Sequence, residues 1–303
     1  MSLKQLKITI VVDNYIDLFL DDFNGLKRIK PGALKKPLIA GHGLSILIDS
    51  VSDSPYRLLM DASHSFLALK NNLEALSVDL STIDGIFLSH AHPDHFGGLE
   101  KLIDNVSSLK KKEVELFIGA DTVFPKLLKT PKGSIGPWSI NLENLKNAGA
   151  KINILDASTQ FIDGLFNSGV VERTTDFEQI MKGAYRQVKG DTQPDPFTDE
   201  NSIFIPTNKG VIVISSCSHR GIVNIINSAK KLTKMNLRAV IGGFHLGKAS
   251  PDIIEKTTLA IKNEKPEWVI AGHCTGIKAH CKLMGEIDSY HISAVGSSLT
   301  IKC

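Results

Sequence analysis

Three histidines and one aspartate fall within six residues of this chain: His90, His92, Asp94 and His95, in the run Gly85-Ile86-Phe87-Leu88-Ser89-His90-Ala91-His92-Pro93-Asp94-His95-Phe96-Gly97-Gly98. Residues two apart on an extended segment point to the same side, so His90 and His92 can grip one ion together. Asp94 and His95 follow at the turn into a helix expected from Phe96 to about Val106, where they can face a second ion beside the first. Gly97 and Gly98 carry no side chains, which lets the helix start approach the pocket closely. Neutral imidazole combined with carboxylate suits zinc, iron or manganese rather than calcium. The cofactor expected is therefore a divalent metal, up to two ions per chain, with zinc the first choice.

The elements that must position these groups alternate regularly. Ile86–Leu88 reads as a buried strand that stops at the motif. Strands are also expected over Leu6–Val12, Gly43–Asp49, Tyr56–Met60, Val114–Ile118 and Lys151–Leu155, and a helix over Ser65–Leu76. Thr122–Lys129 reads as a short helix, and residues 130–139, with Pro131, Gly133, Gly136 and Pro137, as an interruption. From Phe161 to Glu200, glycine and proline break every pattern, and a lid or insertion around 161–200 is the expectation.

A second half then repeats the rhythm. Strands over Asn201–Pro206, Val211–Ser215, Leu237–Gly242 and Glu267–Ala271 alternate with helices over Gly221–Leu232, Pro251–Asn263 and Ile277–Ile287. Ser250 is the expected N-cap of the second helix, with Pro251 at its first position. Ile292–Ile301 reads as a closing strand. Three of these strands end in His219, His245 and His273, so ligand-type residues gather where a rim would be. Strands followed by strand–helix units in both halves fit an α/β fold of the αββα type. Its two mixed sheets would pack face to face with helices outside. No linker divides the chain, and one domain over 1–303 is expected.

Composition narrows the function class. With 303 residues, 42% hydrophobic and 22% charged, the chain reads as an ordinary globular protein. A net charge of +3 and a pI near 8.5 are too mild to argue for nucleic acid. The apolar runs are too short to span a bilayer, and no secretory pattern opens the chain. Cys217, Cys274, Cys281 and Cys303 form no C-x-x-C pair, so a cytoplasmic setting is the expectation. Cys217 and Cys274 flank histidines but read as small buried residues. The basic loop with Lys27, Arg28, Lys30, Lys35 and Lys36 reads as a solvated surface.

Further polar groups sit at strand ends. Asp61 is a candidate acceptor for the second ring nitrogen of a ligating histidine. Asn14 suits a substrate role, and His42, in Gly41-His42-Gly43, enters a strand where it can face the site. His245 is a candidate to touch substrate, carry a proton or ligate. His64, His280 and His291 have no partner pattern.

The H-x-H-x-D-H motif after a strand, with the later pieces in order, resembles the metallo-β-lactamase fold superfamily. The resemblance implies a four-layer αββα sandwich. It also implies a first metal on His90, His92 and His219 and a second on Asp94, His95 and His273, with Asp94 taking part in catalysis. Most binuclear members place a bridging aspartate between the third and last motifs. Residues 236–250 contain no Asp or Glu, and Phe244-His245 stands there instead.

Four blocks narrow the resemblance: Gly41–Ser45, Cys217–Asn224, Gly242–Leu246 and Gly272–Gly276. They are similar to the subgroup that includes the dihydropterin–(ribofuranosyl)aminobenzene 5′-phosphate synthases, alongside many metal-dependent hydrolases. That subgroup implies condensation of a pterin methyl diphosphate with release of pyrophosphate, or hydrolysis at a phosphorylated or diphosphate centre. The helix start after Thr275-Gly276, with Lys278, is then a phosphate seat, and Arg173 and Arg186 are further candidates by charge. The partner expected is an anionic small molecule, with no nucleic acid or membrane. Self-association into a homo-oligomer stays open. Hydrolysis of another ester, thioester or lactam, or metal binding without catalysis, are the alternatives.

Overall fold

Alternation along the strands dictates the layers. In the strand Ser45–Val51, Ile46 and Ile48 face one core while Leu47 faces another. In Gly210–Ile214 the same split sends Ile212 and Ile214 one way and Val211 and Val213 the other. Such strands are apolar on both faces, so each sheet must be covered on both sides. A computed structural model, describing residues 3–303, has this arrangement.

The first sheet has eight strands, in the spatial order Leu26–Lys27, Ser298–Lys302, Gln5–Val12, Ser45–Val51, Tyr56–Met60, Gly85–Leu88, Val114–Gly119 and Ala150–Leu155. The second has seven: Gln160–Ile162, Leu165–Asn167, Ile203–Thr207, Gly210–Ile214, Leu237–Gly243, Trp268–Gly272 and Tyr290–Ile292. Ile8, Ile46, Phe87, Ile205, Ile214, Ile241 and Ile270 fill the space between them. Helices Phe66–Ala75 and Leu99–Lys110 cover the outer face of the first sheet through Leu69, Leu73, Leu102 and Ile103. Ile222–Thr233, Pro251–Glu264 and Ile277–Glu286 cover the second through Ile225, Ile254, Ile261 and Leu283. The four-layer αββα sandwich of two mixed sheets is therefore present.

Both sheets are parallel where the chemistry-bearing strands lie: Tyr56–Met60 beside Gly85–Leu88, and Gly210–Ile214 beside Leu237–Gly243 and Trp268–Gly272. Their carboxyl ends open on one rim, the usual place for a ligand in such sheets. Gly242 permits the approach of two of them. Its φ is +131°, and a Cβ there would lie 1.9 Å from the Ser215 carbonyl oxygen.

Several elements differ from expectation. Thr122–Lys129 is not a helix: a 3₁₀ turn, Ala120–Val123, is followed by the strand Lys126–Thr130. Residues 130–139 contain another strand, Gly133–Trp138. Within 161–200, Leu165–Asn167 joins the second sheet. Ala184–Val188 and Asp191–Pro194 form a hairpin that pairs with Lys126–Thr130. These four strands, in the order Asp191–Pro194, Ala184–Val188, Lys126–Thr130, Gly133–Trp138, make a small third sheet. Distant pairing supplies the hydrogen bonds that local sequence does not reveal. The closing strand is also two strands: Tyr290–Ile292 belongs to the second sheet and Ser298–Lys302 to the first. Gly97 serves packing of a different kind from that expected, since a Cβ there would meet the His64 carbonyl oxygen at 2.3 Å. Arg28 is not part of a solvated face: it is 7% exposed and donates to Ser297 Oγ and the Ile292 carbonyl.

Candidate metal centre

The strand Gly85–Leu88 is buried throughout, and its hydrogen-bonded ladder ends where Ser89 and His90 begin. His92 precedes a short helix, Pro93–Phe96, with proline at its first position, which turns Asp94 and His95 back toward the rim. From the second sheet, Gly210–Ile214 runs into Ser215–His219, Leu237–Gly243 into His245, and Trp268–Gly272 into His273. Ser218, His245 and His273 all have positive φ, between 50° and 65°. Such backbone in non-glycine residues is costly and tends to collect at functional sites.

These turns bring two groups side by side. Ligand atoms of His90, His92 and His219 lie within 4.8 Å of one another, as do those of His42, Asp94 and His273. Asp94 Oδ2 is 3.4 Å from His273 Nε2, 3.3 Å from His42 Nε2 and 3.6 Å from His95 Nε2. The six residues expected to hold metal are thus gathered at one rim, and His42 stands beside them with its side chain 72% exposed.

Hydrogen bonds assign the ring nitrogens. Asp61 Oδ2 accepts from Ser89 Oγ at 2.8 Å, so that hydroxyl is left to accept from His90 Nδ1, 2.9 Å away. His90 Nε2 then carries the free lone pair. Asp61 Oδ2 also lies 2.8 Å from His95 Nδ1, which turns His95 Nε2 toward Asp94. Asp61, expected to orient a ligating histidine, is fully buried and 2.8 Å from the ring of His95, one of the candidates.

Electrostatics agree with ligation by neutral rings at His90, His92 and His219. Burial pushes His90 and His219 well below the usual histidine value and His92 down to about 3, the last helped by the Lys126 charge. Burial would lower His95 too, but Asp61 and Asp94 outweigh it and lift it to about 10. Burial raises Asp94, yet His95 and His273 hold it well below the carboxylate range. Asp94 is thereby kept ionised, the form a carboxylate ligand needs.

Orphaned atoms test the fit to a metal. His90 Nε2, both ring nitrogens of His219 and of His273, and His245 Nδ1 are buried with no hydrogen-bond partner. Each unsatisfied buried polar atom costs about 1–3 kcal/mol. Several on one rim, beside a carboxylate, fit divalent cations.

Other residues brace the centre, and sequence reasoning missed them. Asp13 Oδ1 accepts from His273 N–H at 2.8 Å. Glu200, pushed by burial up to about 7, accepts from the backbone N–H groups of His219 and Arg220. Asp199 Oδ2 accepts from Ala91 N–H, between the two motif histidines, and its other oxygen takes the buried ammonium of Lys126 at 2.7 Å. Phe197 stacks on His219 at 4.3 Å, and Trp138 Nε1 donates to the Ala91 carbonyl. Asp13 closes a strand as Asp61 does, a signal that was present. The others come from the segment whose pairing was hidden.

Some expected substrate contacts are engaged elsewhere. Thr275 is fully buried and its Oγ1 accepts from Phe244 N–H, so it braces a turn. Asn14 donates to the His273 carbonyl oxygen. Arg173 donates to the His219 carbonyl, and Arg186 is bound to Asp121 and Thr198. Lys278 is exposed near the start of Ile277–Glu286. His64 is exposed, His280 is buried against the Tyr290 hydroxyl, and His291 packs on Phe23.

Known proteins carry the same features. Residues 38–110 match the sequence family described as the metallo-beta-lactamase superfamily. Over 257 residues the chain is 32% identical to 7,8-dihydropterin-6-methyl-4-(β-D-ribofuranosyl)-aminobenzene-5′-phosphate synthase of Methanocaldococcus jannaschii, covering 82% of this chain and 86% of that one. It is 28% identical over 291 residues to an uncharacterized protein of the same organism, covering 91% of this chain and all of that one. The crystal structure of Tm1679, described as a metal-dependent hydrolase of the β-lactamase superfamily, shares the fold. Its TM-score is 0.78 at 23% identity, covering 98% of this chain and 100% of that one. With a rim of imidazoles on an αββα sandwich and a relative this similar over most of both chains, the protein belongs to the metallo-β-lactamase superfamily, in the group that includes the pterin-phosphate synthase.

Proposed function

We propose that this chain is a metal-dependent enzyme acting at a phosphorylated or diphosphate-bearing small molecule, with condensation of the synthase type and release of pyrophosphate as its reaction. The observation that carries the reading is the pair of adjoining ligand groups, His90/His92/His219 and His42/Asp94/His273, with His95 Nε2 3.6 Å from Asp94 and with buried imidazole nitrogens that have no hydrogen-bond partner. The name of the 32% identical relative supports the choice of reaction.

His90, His92 and His219 would hold one divalent ion and Asp94, His95 and His273 the other. Ions bound there supply Lewis-acid stabilisation of a departing diphosphate. The chain's own groups do the rest. Ser89 and Asp61 fix the rings of His90 and His95, so the lone pairs stay aimed at the rim. His42, exposed beside Asp94, faces arriving substrate. The helix Ile277–Glu286 starts with no side-chain cap, and its first N–H groups with Lys278 offer a seat for a phosphate. His245, whose ring lies 4.2 Å from that of His219, is the candidate proton carrier between acceptor amine and solvent.

The test uses protein reconstituted anaerobically with zinc, manganese or iron and incubated with the pterin methyl diphosphate, with and without the aminobenzene acceptor. Pyrophosphate released only with acceptor, and lost in His92→Ala, is the expected result. Release without acceptor would identify a hydrolase of the same diphosphate. No reaction with any metal would overturn the substrate assignment.

A further inference from the structure

The two ligand groups have no carboxylate in common among the described residues: Asp94 belongs to the second alone. A third group shares His90 with the first and adjoins the second, since His95 Nε2 is 3.6 Å from Asp94 Oδ2. Ligand atoms of His90, His95 and Cys217 lie within 4.8 Å of one another. His90 belongs to the first centre and His95 to the second, so the sulfur sits between them.

The separation of sulfur and imidazole nitrogen fits shared coordination as well as a hydrogen bond. Cys217 Sγ is 3.3 Å from His95 Nε2. Two donors on one tetrahedral zinc, at about 2.05 Å for nitrogen and 2.3 Å for sulfur, stand about 3.5 Å apart. His95 Nδ1 is already committed to Asp61 and Ser216, so Nε2 is the atom that meets the sulfur. His90 Nε2, fully buried, has no other partner. Cys217 itself is 3% exposed.

The turn is built to hold the sulfur in place. Gly243 N–H donates to the Ser216 carbonyl at 2.7 Å, and Ser218 Oγ to the Gly243 carbonyl at 2.6 Å. Ser218 has φ +65° and Cys274 Sγ donates to the Cys217 carbonyl at 3.4 Å. Cys217 and His219 are thereby fixed on either side of a backbone reversal that ties two strand ends together.

We propose that the Cys217 sulfur would serve as a further metal ligand of the centre, placed where the two ligand groups meet. The inference rests on the reading of the centre as one that holds divalent metal. On binding, the S–H bond breaks, the proton leaves to solvent and the sulfur's electron pairs make bonds to the metal; no oxidant or reductant is involved. A thiolate ligand would favour zinc or another thiophilic ion over manganese.

The test is a titration of reduced, metal-stripped protein with cobalt(II), followed by absorption. Two equivalents are expected, with a near-ultraviolet sulfur-to-cobalt charge-transfer band beside the visible ligand-field bands. Cys217→Ser should abolish the charge-transfer band and weaken the tighter-bound pair by roughly 10–100-fold, while Cys274→Ser keeps the band. X-ray absorption of the wild-type zinc protein, which needs no variant to fold, should show a sulfur at about 2.3 Å. Cobalt bound with ligand-field bands alone, or zinc with nitrogen and oxygen neighbours only, would remove Cys217 from the centre and leave the centre standing. A charge-transfer band that survives Cys217→Ser and vanishes in Cys274→Ser would move the sulfur ligand to Cys274. Protein that binds neither ion would overturn both this inference and the metal-centre reading.

Discussion

Asp61 Oδ2 and His95 Nδ1 are 2.8 Å apart, and neither side chain has any exposure to solvent. The same carboxylate accepts from Ser89 N–H, Ser89 Oγ and Ser216 Oγ. One aspartate therefore ties together the ends of Tyr56–Met60, Gly85–Leu88 and Gly210–Ile214. Asp61→Asn keeps the shape but presents an amide donor where three donors already point. Metal affinity should fall about 10–100-fold, read by competition with a chromophoric chelator. Unchanged affinity would mean that His95 does not depend on Asp61.

Chelation should expose how much of the stability belongs to the ions. A metal present at 100 times its dissociation constant adds about 2.7 kcal/mol per site, which in a chain of this size corresponds to a Tm shift of roughly 5 °C or more. Calorimetry with and without a strong chelator checks this. Coincident melting curves would show that the buried imidazoles are satisfied in some other way.

Lys126 is buried with Asp195 and Asp199 at 2.7 Å each, beneath the loop that carries the metal motif. Lys126→Met would leave two carboxylates without their counter-charge, a change worth about 3–5 kcal/mol in comparable buried pairs. The urea midpoint should drop accordingly, and metal affinity with it, since Asp199 also holds Ala91 N–H. A midpoint within error of wild type would show that the triad relaxes without loss.

Gly242→Ala tests the contact between strand ends. The new methyl would collide with the Ser215 carbonyl, and φ at this position already lies where alanine is strained. A loss of more than about 3 kcal/mol is expected, measured by denaturant titration. A stable variant with full metal content would mean that the strands can part without disturbing His219 and His245.

His245→Gln separates proton transfer from ligation. Turnover should fall by roughly 10²–10⁴-fold with the metal content unchanged. Elemental analysis of the variant decides the matter: one ion fewer per chain would make His245 a ligand.

Much of this was legible in the sequence, for physical reasons. His90 to His95 declare themselves because strand geometry and ligand chemistry act over a few residues. The same holds for buried strands such as Val211–Ile214 and for the Ser250 cap, whose hydroxyl accepts from Ile253 N–H. Lys126–Thr130 was misread because its partner, Ala184–Val188, lies far along the chain. Glu200 and Asp199 hid in the same segment, since their value depends on backbone groups brought to them by the fold. Thr275 reads as part of a phosphate seat from its place before a helix start, and only packing shows that its hydroxyl accepts from Phe244 N–H.

Because the rim draws on both sheets, its completion is also an event in time. About 180 residues separate His95 from His273, and a ribosome needs roughly 10–40 s to add them. During that interval the nascent chain displays His90, His92, Asp94 and His95 without their counterparts, a chelating tag of low denticity. The full candidate ligand set therefore cannot exist before the strand Trp268–Gly272 and His273 have been made. The last-made half of the polypeptide, more than the motif that announces the site, sets the earliest moment at which the rim is complete.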